Sequence, residues 1–209
     1  MSSGLSGHLT EVIERSHIAL EHVTRALCDS GPSAASALPD ADKALYALRQ
    51  AVEDQALAIA ETRVVSPAVP VRAIIVAAQV NADAECVEGL ARRLAEIAGS
   101  RPGRPAVPGD VQAVVCRMGR LCTDMMATAG SAGRSPRADT EARIEAADAE
   151  VRRLRQRLCR LLLHDPAPVD VDAALDTSLA CRYYARCAEL AVSMTRHAIL
   201  AADSGQTRQ

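Results

Sequence analysis

The side chains able to ligate a metal or move a proton are few and widely spaced along the 209 residues. Glu14 and His17 form an E-x-x-H, the unit that carboxylate-bridged di-iron bundles place twice on facing helices. No second E-x-x-H occurs, so both residues are expected at a helix surface or boundary. Glu85 and Glu88 lie three residues apart and share one helix face. His8, His17, His22, His164 and His197 are scattered, without paired Cys or acids at ligand spacing. The chain has no G-x-x-x-x-G-K-[ST] loop, no G-x-G-x-x-G, no G-x-S-x-G and no H-E-x-x-H. An enzyme is therefore not expected.

Seven cysteines (28, 86, 116, 122, 159, 181 and 187) include no C-x-x-C, and their number is odd. With no apolar leader and no apolar run near 20 residues, reduced thiols serving as small core residues of a cytoplasmic protein are expected. Arg supplies nearly all of the basic side chains, yet the formal charge is only −2. Near-neutrality argues against a nucleic-acid partner held by phosphate contacts. Arg152, Arg153, Arg155, Arg157 and Arg160 form the strongest basic cluster, expected as a solvated helix face partly neutralised by Glu141, Glu145 and Glu150.

Helices must position these groups. Apolar residues make up 49% of the chain, with three Tyr and no Phe or Trp, so the core falls to Ala, Leu, Val, Ile and Met in closely packed helices rather than a β-sandwich. Leu9, Val12, Ile13, Leu20, Val23 and Leu27 make one buried face before Gly31-Pro32. A second helix is expected over about 39–63, with Leu45, Leu48, Val52, Leu57 and Ile59 inward. Ser66-Pro67 caps a third, which runs to Ala98 with Pro70 still in its first turn. The breaker GSRPGRPAVPG, Gly99 to Gly109, separates two halves.

After it, Val111, Val114, Val115, Met118, Leu121, Cys122, Met125 and Met126 form a core stripe that Gly130 to Gly133 closes. Ile144, Ala147, Val151, Leu154, Leu158 and Leu161 pattern a fifth helix from about Arg137 to His164, stopped by Asp165-Pro166. A sixth runs from about Val171 to Asp203. Gly89 in mid-helix costs about 1 kcal/mol relative to Ala and is expected to mark a close helix-helix approach.

The halves repeat each other. Asp42-Lys43-Ala44-Leu45-Tyr46-Ala47-Leu48 matches Asp148-Ala149-Glu150-Val151-Arg152-Arg153-Leu154, each an Asp followed at three and six residues by an apolar side chain. Ser66 to Ala98 returns more weakly as Val171 to Ile199, with Glu85 and Glu88 before Leu90-Ala91 in one copy and Glu189 before Leu190-Ala191 in the other. With Arg72 near the start of the third helix and an Arg182-Tyr183-x-x-Arg186 segment near the end, this order resembles the PhoU family of phosphate-signalling regulators. The resemblance implies an all-α fold of two tandem antiparallel three-helix bundles, residues 1–99 and 110–209 joined by 100–109.

It also implies E-x-x-x-D and D-x-x-x-D pairs in each half, whose acids share a helix face and can surround a hard cation. Carried over by position, these become Glu85-x-x-x-Gly89 and Ala185-x-x-x-Glu189, and Asp42-x-x-x-Tyr46 and Asp148-x-x-x-Arg152. Each has lost one acid, although Glu88 could substitute in the first half. Asp42, Glu85, Glu88, Asp148 and Glu189 are thus expected as polar remnants, with no tight metal and at most weak divalent binding. The implied function is regulation of phosphate homeostasis. A phosphate ABC-transporter ATPase and a sensor histidine kinase are the implied partners, contacted by a homodimer that represses the starvation response. A helical scaffold or oligomerisation module, or a divalent-metal-binding protein, are the alternatives.

Overall fold

The computed structural model describes residues 2–28, 46–47, 49–54, 56–58, 61, 71–100, 109–135, 137–164 and 170–206. They form α1 (Ser2–Cys28), the helical residues of α2 within 46–61, α3 (Val71–Ser100), α4 (Gly109–Arg134), α5 (Thr140–His164) and α6 (Val171–Gln206). No strand occurs among the described residues. Asp42, Leu45, Leu48, Ile59, the Ser66-Pro67 cap, Pro70 and 101–108 lie outside them. At 1.5 Å per residue the 30 residues of α3 make a rod about 45 Å long.

Side-chain pairings give the helix directions. Glu14 of α1 meets Arg134 of α4, and Cys28 at the end of α1 meets Cys116 near the start of α4, so these two run antiparallel. Cys181 and Tyr184 of α6 meet Met118 and Cys122 of α4 in the same order, so α4 and α6 run parallel. Arg49 and Glu53 of α2 reach Glu88 and Asn81 of α3 in reverse order. The halves abut through α1 on α4, α3 on α6 and, less extensively, α1 on α6. Among the described helices α5 packs on α4 and α6 only.

One hydrophobic cluster runs through both halves. The apolar stripe of α1 is buried at every expected position, and α4 buries Met118, Met125 and Met126 completely or nearly so. Leu57 departs from expectation: it is 60% exposed while Val52 is buried. Five residues advance a helix by about 140° beyond a full turn, and it is Ala56, four residues after Val52, that packs on the core. The core also holds an aromatic ring, contrary to composition. Tyr184 is fully buried, and its hydroxyl lies 3.0 Å from Thr24 Oγ1.

The cysteines divide into three groups. Cys28 and Cys116 form a disulfide with Cα atoms 5.6 Å apart, which corrects the expectation of seven reduced thiols. They are 88 residues apart in sequence, and only the antiparallel seating of α1 on α4 brings them together. Cys122, Cys181 and Cys187 are buried, and burial pushes the thiols of Cys181 and Cys187 up to about 12 and that of Cys122 well above its ordinary value. Protonated at neutral pH, these three are core residues and not nucleophiles. Cys86 and Cys159 are free and exposed.

Two glycines show opposite environments. A Cβ on Gly119 would lie 2.6 Å from Thr24 Cγ2 and 3.0 Å from Tyr184 Cζ, whereas one on Gly89 would meet no described residue within 4 Å. Close approach therefore belongs to Gly119 and not, as expected, to Gly89. Thr24 is β-branched and its hydroxyl is held by Tyr184, so it has little freedom to withdraw. Gly119→Ala is expected to lower stability by about 1–3 kcal/mol through overpacking, and Gly89→Ala to raise it by up to about 1 kcal/mol through helix propensity. Urea denaturation of both variants checks this, and shifts of the same sign would contradict the packing described.

Candidate functional site

The repeated acids can be followed from helix to helix. Glu88 faces inward from α3, one turn after Ala84 and one turn before Arg92, and is 6% exposed. Arg49 of α2, 7% exposed, donates from Nη1 to Glu88 Oε2 at 3.0 Å and pairs through Nη2 with Glu85 Oε2 at 3.0 Å. Arg92 Nη2 donates to Glu88 Oε1 at 2.9 Å. Asn81 Nδ2 braces the group, donating to the Arg49 carbonyl and to Glu53 Oε1, each at 3.0 Å. Glu85 itself is exposed. The carboxylates that could have faced a cation face a guanidinium.

The second half is built differently. Asp148 pairs with Arg152 one turn along α5, and Glu189 with Arg186 on α6 at 2.7 Å, a hydrogen bond that raises the Arg186 pKa. Ala185, where the repeat puts the counterpart of Glu85, supplies no oxygen. Among the described residues no three His, Cys, Asp or Glu side chains converge as metal ligands. The acids that are described thus face arginines rather than one another. Of the five remnant acids, Glu85 and Glu88 are brought together by Arg49, Asp148 and Glu189 each pair on their own helix, and Asp42 lies outside the described residues.

Between the halves, α3, α5 and α6 enclose a cleft of about 550 Å³. Arg93, Arg155, Arg182 and Arg186 line it, against one carboxylate, Glu189. Neither Arg49 nor Arg93 stood out in the sequence, whereas Arg155 stands on the exposed face expected for it. The signal was nonetheless present, because Leu48-Arg49-Gln50 and Leu154-Arg155-Gln156 follow the repeated Asp at equal spacing. All five arginines of the basic cluster are exposed as expected. Arg152 and Arg153 pair on their own helix, while Glu145 instead reaches Arg196 of α6 at 2.9 Å. Glu14 pairs with Arg134, and half-buried His17 sits at the helix boundary.

No family model matches the chain. Two curated proteins, from Mycobacterium tuberculosis and Mycobacterium bovis, are each 28% identical over 200 residues, spanning 96% of this chain and 93% of theirs. Both are named phosphate-specific transport system accessory protein PhoU homolog 2. The crystal structure of PhoU from Pseudomonas aeruginosa superposes with a TM-score of 0.78 over 97% of both chains at 17% identity. The chain is PhoU-like. The phosphate transport system regulatory protein PhoU from Streptococcus pneumoniae shares the fold as well, with a TM-score of 0.76, 13% identity and 98% and 95% coverage. In this PhoU-like chain the repeated acids that are described stand paired with arginine.

Arg49 and Arg155 hold equivalent places in the repeat and should respond differently to truncation. Arg49→Ala strips a buried carboxylate of one partner and is expected to cost about 3 kcal/mol. Arg155→Ala, at an exposed position, is expected to leave the unfolding transition unchanged. Equal effects of the two in chemical denaturation would contradict the pairing described.

Proposed function

We propose that this protein is an accessory regulator of phosphate transport. The observation that carries the proposal is end-to-end similarity to the two mycobacterial accessory proteins, over 96% of the chain, together with the shared fold. In this reading the protein couples a phosphate ABC transporter, through its ATPase, to a sensor histidine kinase, and holds the phosphate-starvation response off when phosphate is plentiful. It acts without covalent chemistry. Long helical faces bind one state of the partner better than another, and the difference in affinity shifts the partner's equilibrium.

Two features of the structure support a role in binding rather than catalysis. The buried thiols are held protonated, and the acids of the helix motifs are tied to arginines. Work on the inner face of a membrane-bound transporter suits a cytoplasmic protein that binds as a homodimer. No described helix is long and apolar enough to cross a membrane. The Cys28 to Cys116 disulfide removes reduced cysteines as a ground for that placement, which rests here on the partners alone.

Deleting the gene in phosphate-rich medium tests the proposal. Derepressed alkaline phosphatase activity and raised phosphate uptake are expected. Unchanged expression and uptake would remove the regulatory claim.

A further inference from the structure

The internal repeat leaves one arginine without the acids that its counterpart has. Arg49 and Arg155 each stand seven residues after the repeated Asp, in the same Leu-Arg-Gln context. Facing Arg49 on α3 are Glu85 and Glu88, which both pair with it. The corresponding positions on α6 are Ala185 and Ala188, both buried and neither able to accept a hydrogen bond from a guanidinium through its side chain. Among the described residues Arg155 has no ion-pair or hydrogen-bond partner, and neither do Arg93 and Arg182, which line the same cleft. Arg186 is the fourth guanidinium, paired with Glu189.

We propose that this cleft between α3, α5 and α6 is a binding site for a small anion carrying several phosphate groups, which takes the place of the two missing carboxylates. Four guanidinium groups against one carboxylate require a multiply charged ligand, because a single charge would leave most of the repulsion between them in place. The planar donor fork of arginine matches phosphate oxygens in a bidentate manner. The volume, about 550 Å³, lies within the range of sites that hold a drug-sized ligand and is too large for one orthophosphate to fill. Half-buried Tyr183 lines the cleft and offers a ring face beside the arginines. Binding at this cleft is measured on the purified chain alone, without the transporter or the kinase.

Isothermal titration calorimetry of the full chain, with inorganic tripolyphosphate and with ATP at fixed salt, tests the proposal. Both are expected to bind, with affinity falling as salt rises. Equal affinities assign recognition to the phosphate chain, and tighter ATP binding assigns a further contact to its base, so either result supports the site. Arg155→Ala and Arg182→Ala are each expected to weaken binding by at least about tenfold, the scale of one lost charge-assisted hydrogen bond. Arg143→Ala, an equal charge change elsewhere on α5, should leave affinity unaltered.

Ala185→Glu, checked for an unchanged melting transition, is expected to abolish binding by supplying the missing acid from within. Should that variant not fold, Glu189→Gln is the second test, and tighter binding is expected. Absence of binding to the native chain, binding only to an acidic peptide, or equal weakening by Arg143→Ala would overturn the proposal.

Discussion

Tyr184 touches both halves of the chain: its hydroxyl meets Thr24 of α1, and its ring lies where any side chain at position 119 of α4 would have to go. In a core of Ala, Val, Leu and Met this is the one fully buried ring among the described residues. A polar hydroxyl in such a place must be hydrogen-bonded or it costs stability. The contact therefore sets the lateral spacing and the register of three helices at once. Cys122 adds to the same junction, its thiol donating to the Tyr184 carbonyl at 3.1 Å. Further along α4, Gly133 keeps a second close approach open to Thr10 of α1.

Once that register is fixed, the charges have little choice. Antiparallel seating of α2 on α3 aims Arg49 between Glu85 and Glu88, and the resulting cluster is buried on both of its central members. A buried carboxylate with two guanidinium partners is satisfied without a metal, and a metal would have to displace a strong hydrogen-bonded pair to enter. In the other half the same helix positions carry Ala185 and Ala188. One repeated arrangement of helices thus presents an internally paired cluster on one side and a cationic cleft on the other. Divergence of the repeat, rather than the repeat itself, creates the asymmetry.

Much of this was legible in the chain. Three- and four-residue apolar spacing identified the faces of α1, α4 and α5, because helical burial repeats with the helical period. Leu57 defeated that logic, since one residue of phase error turns a side chain through about 100°, and the stretch around it is rich in Ala. The disulfide was invisible for a different reason: Cys28 and Cys116 are adjacent only once two helices from opposite halves are laid together. Arg155 could be placed in the repeat from sequence, but its lack of a partner is a property of α6, whose alanines had to be brought opposite before the vacancy among the acids had meaning. Gly119 and Gly89 were indistinguishable on paper, being two glycines in mid-helix, and only their neighbours separate them.

The claim on which this account most depends is that arginine has taken over the acids that a cation would use. Elemental analysis by inductively coupled plasma mass spectrometry, on protein purified without chelator and after growth in metal-supplemented medium, tests it directly. The account predicts far less than one Fe, Zn, Mn or Mg per chain. A stoichiometric metal that survives gel filtration would contradict it.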